Sequence, residues 1–532
     1  MVKEFCKSEG ISMALTIILL VCFFCVMIGV GLYCHRHATD VNGFVLGGRS
    51  VGPWLTAFAF GTSYFSAVIF VGYAGQFGWN FGLASTWIGL GNAFIGSLLA
   101  WTILGRRTRV MTQHIDSRTM PDFFGKRFDS GKLKIAASVI VFIFLIPYTA
   151  SLYNGLSSLF AIAFNIPFWV IILVMAALTG FYVIFGGYMA TAINDFIQGL
   201  IMLVGIVAVI GSVFADNGGF TQTVTKLSLI DAGTGAQGAF TSFFGPDPLA
   251  LLFVVILTSL GTWGLPQMVG KFYSIKSEDA ISKGTIISTV FAIIVAGGCY
   301  FLGGFGRLYA DKIVFNPNTG APLFDTIVPS MIAQLPQIVV AVVIVLVLAA
   351  SMSTLSSLVL TSSSTLTLDV IFHGRQVGEK KKVAVMRLFI VFFIIISAVI
   401  AILKDTFNFS FIAQMMGVSW GALAGAFLAP FLYGLYWKKT TRASVVVSFV
   451  VGCGLMILQM IISLTGNNFF TGALHYIFAS SVRSGAVTMI LGLILVPVVS
   501  LFTPKMDAGR VDGMFEGYNK PVEVTVSQRL GK

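Results

Sequence analysis

Apolar residues run along this chain in long stretches separated by short polar connections. Thirteen can be drawn, roughly at 11–33, 52–78, 84–105, 134–161, 167–186, 189–214, 249–272, 284–304, 337–371, 383–403, 410–437, 443–465 and 485–503. A helix needs about 20 apolar residues to cross a bilayer, so the pattern predicts an all-α polytopic membrane protein with about thirteen spans. Two stretches are interrupted, one by Gly61-Thr62-Ser63-Tyr64-Phe65-Ser66 and the other by Ser259-Leu260-Gly261-Thr262-Trp263-Gly264-Leu265-Pro266. Glycine and proline weaken helical hydrogen bonding there, and polar side chains can satisfy the freed backbone. Each interruption falls in the first span of a five-span block, 52–214 or 249–437. Matching broken helices in two halves point to a transporter built from inverted repeats, with its binding site at the breaks. The remaining divisions are an extra helix and inner loop (1–51), an outer loop (215–248), two further helices (438–503) and a polar, poorly ordered tail (504–532). Between the second and third spans of the first block, 120–124 (M-P-D-F-F) reads as a short surface helix.

Composition supports the same class. Of the 532 residues, 57% are hydrophobic and 10% charged, far below the ~25% charged residues of soluble domains. The net charge of +12 raises the question of nucleic acid. Its distribution answers it: with the N-terminus outside, 26 of the 33 lysines and arginines fall on the inner side. That is the positive-inside rule with an external N-terminus and a cytoplasmic C-terminus. The six cysteines show no metal or disulfide spacing and the five histidines fall in loops, so no cofactor or metal centre is expected. The first stretch is too long for a signal peptide and reads as a retained helix. No soluble domain and no obligate protein partner is evident.

Two features carry chemistry. The run A-A-S-M-S-T-L-S-S at 349–357 places hydroxyls at five of nine positions at the end of an apolar helix. Ser353, Ser356 and Ser357 share one helical face, because spacings of three and four stack. Hydroxyls are hard, neutral ligands suited to an alkali cation, and the break at 61–66 can lend backbone carbonyls. The second feature is Asp195, the one charged residue between Lys134 and Asp216. Eight residues beyond Gly187, it lies roughly 12 Å into the membrane, flanked by Asn194 and Gln198. An intramembrane carboxylate is a functional-site hypothesis by default. Together they read as a sodium site in a transporter; a protonated Asp195 would serve a proton-coupled carrier instead. An intramembrane enzyme is disfavoured, since no histidine or second carboxylate lies at depth. A channel does not require paired breaks, and a sensor would carry an output domain. Lys271 is counted with the inner loops, and no buried arginine or lysine is expected to grip a solute carboxylate.

The motif G-G-Y-M-A-T-A-I-N-D-F-I-Q-G (186–199), with G-R-S-V-G-P (48–53), G-T-S-Y-F-S-A and A-A-S-M-S-T-L-S-S in that order, resembles the sodium:solute symporter family across nearly the whole chain. The resemblance implies a LeuT-like five-plus-five inverted repeat with one extra helix before and two after. It also implies import of a small organic solute by alternating access across the plasma (inner) membrane, driven by one or two sodium ions. By motif, one sodium site uses the carbonyls of Thr62, Phe65 and Ala350 with the hydroxyls of Ser353 and Thr354. A second, found in some members, uses Asp195, Ser353, Ser356 and Ser357. Candidate solute liners are Ser63, Tyr64, Ser66, Tyr148, Tyr153, Thr258, Thr262, Trp263 and Gln267. The proline branch is similar in G-P, M-S-T-L-S, Tyr148 and Pro266, but its aromatic pair in the seventh helix is replaced by Thr258 and Thr262. The pantothenate branch is similar in I-N-D-F-I-Q-G-L-I-M-L and G-L-P; sugars and monocarboxylates are the alternatives.

Overall fold

A computed structural model describes residues 2–164, 167–233, 237–315, 320, 322–403 and 412–519. The first two residues of the 410–437 stretch, Lys404 and the tail beyond 519 lie outside the described residues. Among the described residues the chain is almost entirely helical, with pairing confined to the bridges Val51–Ile275 and Phe315–Pro322. Eleven helical segments are long and apolar enough to cross a membrane. Two of them, Val68–His114 and Trp169–Asp216, are double length, at 47 and 48 residues. Splitting each accommodates the expected thirteen passes.

The split in the second has a local cause. Gly187 sits at φ 55°, ψ −149° inside the helix Phe168–Asp216, a conformation that side chains rarely adopt. A Cβ there would also stand 2.8 Å from the Phe44 carbonyl oxygen.

Both predicted breaks are present. The first broken helix runs Pro53–Thr62, leaves helical geometry at 63–66 and resumes through Val68–Tyr73 and Ala74–Phe81. The second runs Pro248–Leu260, tightens at Gly261–Trp263 and resumes at Pro266–Tyr273. Proline stands at the first helical position of Pro53–Thr62 and of Pro266–Tyr273, where its missing N–H costs nothing. The two helices are antiparallel partners. Val51, just before the first begins, donates its N–H to the Ser274 carbonyl (3.0 Å), and Lys276 donates back to Val51 (3.1 Å), just after the second ends. The first therefore leaves the face of the bundle where the second arrives, as an inverted repeat requires.

That face is the basic one, and it is locked rather than loose. Arg49, held at φ 57°, donates to the Ser117 carbonyl at 2.6 Å. Arg109 donates to Ile275 and Arg127 to Gly434. The helix Met120–Arg127 does not lie on the surface as expected, because Phe123 and Phe124 insert among Phe427, Phe431 and Phe449. Asp122 on it is buried, which alone would raise its pKa. Lys134 at 2.8 Å and Lys126 at 3.1 Å outweigh burial and hold the carboxyl below the usual carboxylate range. A depressed carboxylate contributes stability above its unfolded pKa and loses it only as pH falls through the lower folded value, so this clamp is closed at neutral pH. The described part of the tail packs on this face: Ala508–Glu516 is helical, and Tyr518 donates to Leu435 and stacks beneath Arg107. Four of the histidines assigned to loops lie in short helices, His35 and His37 in the single 3-10 turn His35–His37, His114 in Arg106–His114 and His475 in Gly472–Phe478.

At the opposite end the two repeats touch backbone to backbone. A Cβ built on Gly78 would lie 2.0 Å from the Gly303 carbonyl oxygen. Gly78→Ala must therefore push the helices apart, beyond the ~1–3 kcal/mol typical of overpacking. A clear fall in the melting temperature of the detergent-purified chain is expected, with none for Gly29→Ala, whose Cβ meets nothing within 4 Å.

Candidate functional site

The helix Gln337–Thr365 carries the hydroxyl run and is buried along most of its length. At its middle it faces the first break. Ser353 Oγ lies 3.1 Å from the Thr62 carbonyl oxygen and 3.0 Å from that of Ala350. Thr354 Oγ1 lies 3.0 Å from Thr62 O, 3.3 Å from Phe65 O and 3.1 Å from Ala350 O. Three carbonyls and two hydroxyls thus converge, exposing little more than oxygen to one another. Two hydroxyl protons cannot satisfy five such contacts. The Thr62 and Phe65 carbonyls are available because the helix stops there, and helix C-termini carry partial negative charge. The arrangement suits a small cation.

The second constellation is assembled differently from its sequence reading. Asp195 is fully buried, as expected. Its neighbours Asn194 and Gln198 turn away, toward the Met27 carbonyl and sulfur on the N-terminal helix. Ser356 donates to the Ser353 carbonyl, and Ser353 belongs to the first cluster. Of the three serines, only Ser357 joins Asp195, and it does so through a group assigned to a loop. Lys271 is 3% exposed. Its Nζ lies 3.5 Å from Asp195 Oδ2, 3.0 Å from Ser357 Oγ and 5.2 Å from the centre of the Tyr188 ring. The expectation that no lysine is buried is therefore incorrect. Lysines at helix ends usually extend toward water. Here Pro266 restarts the helix so that Lys271 points inward, on the same side as Gln267 four residues earlier. That spacing, inside the drawn limit of an apolar run, was the available signal.

Ser357 Oγ also meets Ser63 Oγ at 2.9 Å, which connects the Lys271 pocket to the first break. Of the other proposed solute liners, three are spent on packing. Thr258 bonds back to Val254, Thr262 to Gly96 and Ser259, and Trp263 Nε1 to Ile95. Four keep buried polar atoms without a partner: Tyr64, Ser66, Tyr148 and Gln267. Tyr153 is buried beside them in the helix of Tyr148. Sequence reasoning missed Trp420. Its ring meets Tyr148 edge to face at 5.9 Å and lies against Gly261 of the second break, with Nε1 unpartnered. Unsatisfied buried polar groups call for an explanation. A cavity of about 520 Å³ opens at the face opposite the basic one, lined by Gln76, Asp247, Gln414 and Arg483 among others. A cavity of about 50 Å³ at the basic side is lined by Tyr188, Gln267, Lys271 and Ser357 among others.

Comparison with known proteins places the chain in a family. The model of the sodium:solute symporter family matches residues 44–452. The osmoregulated proline transporter OpuE of Bacillus subtilis is 29% identical over 441 residues, covering 82% of this chain and 87% of the relative. Sodium/proline symporter 2 of Staphylococcus saprophyticus is 30% identical over 460 residues, covering 84% and 86%. A sodium-coupled sialic acid symporter, solved substrate-bound and outward-open, superposes with a TM-score of 0.68 at 17% identity, over 92% of this chain and 98% of that one. Paired breaks on a LeuT-like inverted repeat, with a family match over most of the length, make this chain a member of the sodium:solute symporter family, a multi-pass transporter that couples sodium to the import of a small organic solute.

Proposed function

We propose that the coupling sodium ion binds among Thr62 O, Phe65 O, Ala350 O, Ser353 Oγ and Thr354 Oγ1, and that the solute is a small amino acid of the proline class. The convergence of five oxygens on the first break carries the ion assignment. The relatives named for proline support the solute class. The solute sits between the breaks, against Tyr64, Ser66, Tyr148, Trp420 and Gln267. Its carboxylate finds the sodium ion or a half-helix N-terminus rather than an arginine. Sodium enters first, ordering the break at 63–66 and completing the solute site. The wide cavity is the outer vestibule and the narrow one the closed inner exit. The protein performs no chemistry on its cargo; one cation moving down the membrane potential is worth about 2.3 kcal/mol per 100 mV. The plasma membrane holds it, N-terminus outside and C-terminus in the cytoplasm.

Uptake of radiolabelled proline, other amino acids, pantothenate, short monocarboxylates and sugars into proteoliposomes, with and without a sodium gradient, tests this. Sodium-stimulated proline uptake is expected. Stimulation confined to another solute would remove the proline assignment, and pH-driven uptake without sodium would replace the coupling ion.

A further inference from the structure

We propose that the ammonium of Lys271 is the resident cation of the Asp195 pocket, standing where a second sodium ion would otherwise sit, so that this chain couples one sodium ion per solute. The inference builds on the reading of the Thr62–Thr354 cluster as the sodium site.

Asp195 is one carboxylate in apolar surroundings, and such a group persists in its charged form beside one compensating cation. Lys271 supplies that charge from within the chain. It takes up the ligands a second ion would need: Asp195 Oδ2 at 3.5 Å and Ser357 Oγ at 3.0 Å. Ser353 and Ser356 are already turned to backbone carbonyls. The Tyr188 ring covers the ammonium at cation–π range. A sodium ion added here would bring two cations to one carboxylate, whose second oxygen, Oδ1, has no partner.

The tethered charge also joins the parts that an ion would join. Lys271 belongs to the second broken helix, Asp195 and Ser357 to two unbroken ones. Ser357 reaches Ser63, the neighbour of Thr62 on the first broken helix. The path Asp195–Lys271–Ser357–Ser63 therefore ends one residue from a carbonyl of the transported ion. Unlike sodium, this cation is not released, so it organises the site on every cycle while carrying no charge across. The cavity of about 50 Å³ that Lys271 lines gives a free ion access to the pocket once the side chain is removed.

The test is a count of radioactive sodium bound at saturation by the purified full-length chain, paired with melting temperatures in sodium against potassium. Wild type is expected to bind one ion and Lys271→Ser two, with a larger sodium-dependent rise in melting temperature. Lys271→Met combined with Asp195→Asn removes both charges and is expected to retain the single ion. Two ions in the wild type overturn the proposal even if no variant folds, as does one ion in both the wild type and a folded Lys271→Ser. Loss of the ion from the double variant overturns it as well, since the retained site would then include this pocket. A wild type that binds no sodium at all takes down the underlying sodium-site reading, and is distinguished from these by that zero.

Discussion

Thr354→Ala is expected to raise the sodium concentration for half-maximal uptake about tenfold or more, while Thr354→Ser stays close to wild type. Thr354 Oγ1 is within 3.3 Å of three carbonyls, two of them from the first broken helix. Removing it takes one oxygen from a five-oxygen cluster and unties the helix Gln337–Thr365 from the break. A lost hydrogen-bonding or ligand contact to a charge is worth ~1.5–3 kcal/mol, and each 1.4 kcal/mol is a factor of about ten. Serine keeps the oxygen and drops only the methyl group. Ser353→Ala, which removes contacts to Thr62 and Ala350, should act in the same direction. Sodium titration of uptake in proteoliposomes, each variant normalised to its reconstituted amount, makes the comparison. An unchanged sodium dependence in Thr354→Ala would place the ion elsewhere.

What could be read before folding follows from how each feature is encoded. The spans, both breaks and the hydroxyl run are local in sequence, and the membrane makes departures from apolar composition conspicuous. Asp195 stood out for the same reason. What the chain did not disclose depends on direction. Whether Lys271 extends to water or turns inward depends on how Pro266 restarts its helix, and Asp195 and Ser357 are distant in sequence. Thr258, Thr262 and Trp263 have the chemistry of solute ligands, but neighbouring carbonyls already occupy them. Trp420 lies in an unbroken apolar helix, where a tryptophan carries no sign of function. The tail helix Ala508–Glu516 is polar because it covers a protein surface rather than a lipid one.

Asp195→Asn should be the most destabilising single change at the site, and its effect should be largely cancelled by a second substitution. Asparagine fills nearly the same volume but leaves the Lys271 ammonium, with 4% of its side chain exposed, facing Ser357 and the Tyr188 ring without a counter-charge. Removing one member of a buried ion pair typically costs ~3–5 kcal/mol, whereas replacing both with neutral groups of similar size is often close to neutral. The 3.5 Å separation is long for a charge-assisted bond, so the lower half of that range is expected. Lys271→Met should destabilise from the other side by leaving Asp195 uncompensated, less so in sodium if the ion can enter the pocket. The double variant should then melt closer to wild type than either single variant does. The measurement is a double-mutant cycle on melting temperatures in potassium buffer, where sodium cannot substitute for the lysine. If the two single effects simply add, the groups do not compensate one another's charge, and Asp195 must find its cation elsewhere in the fold.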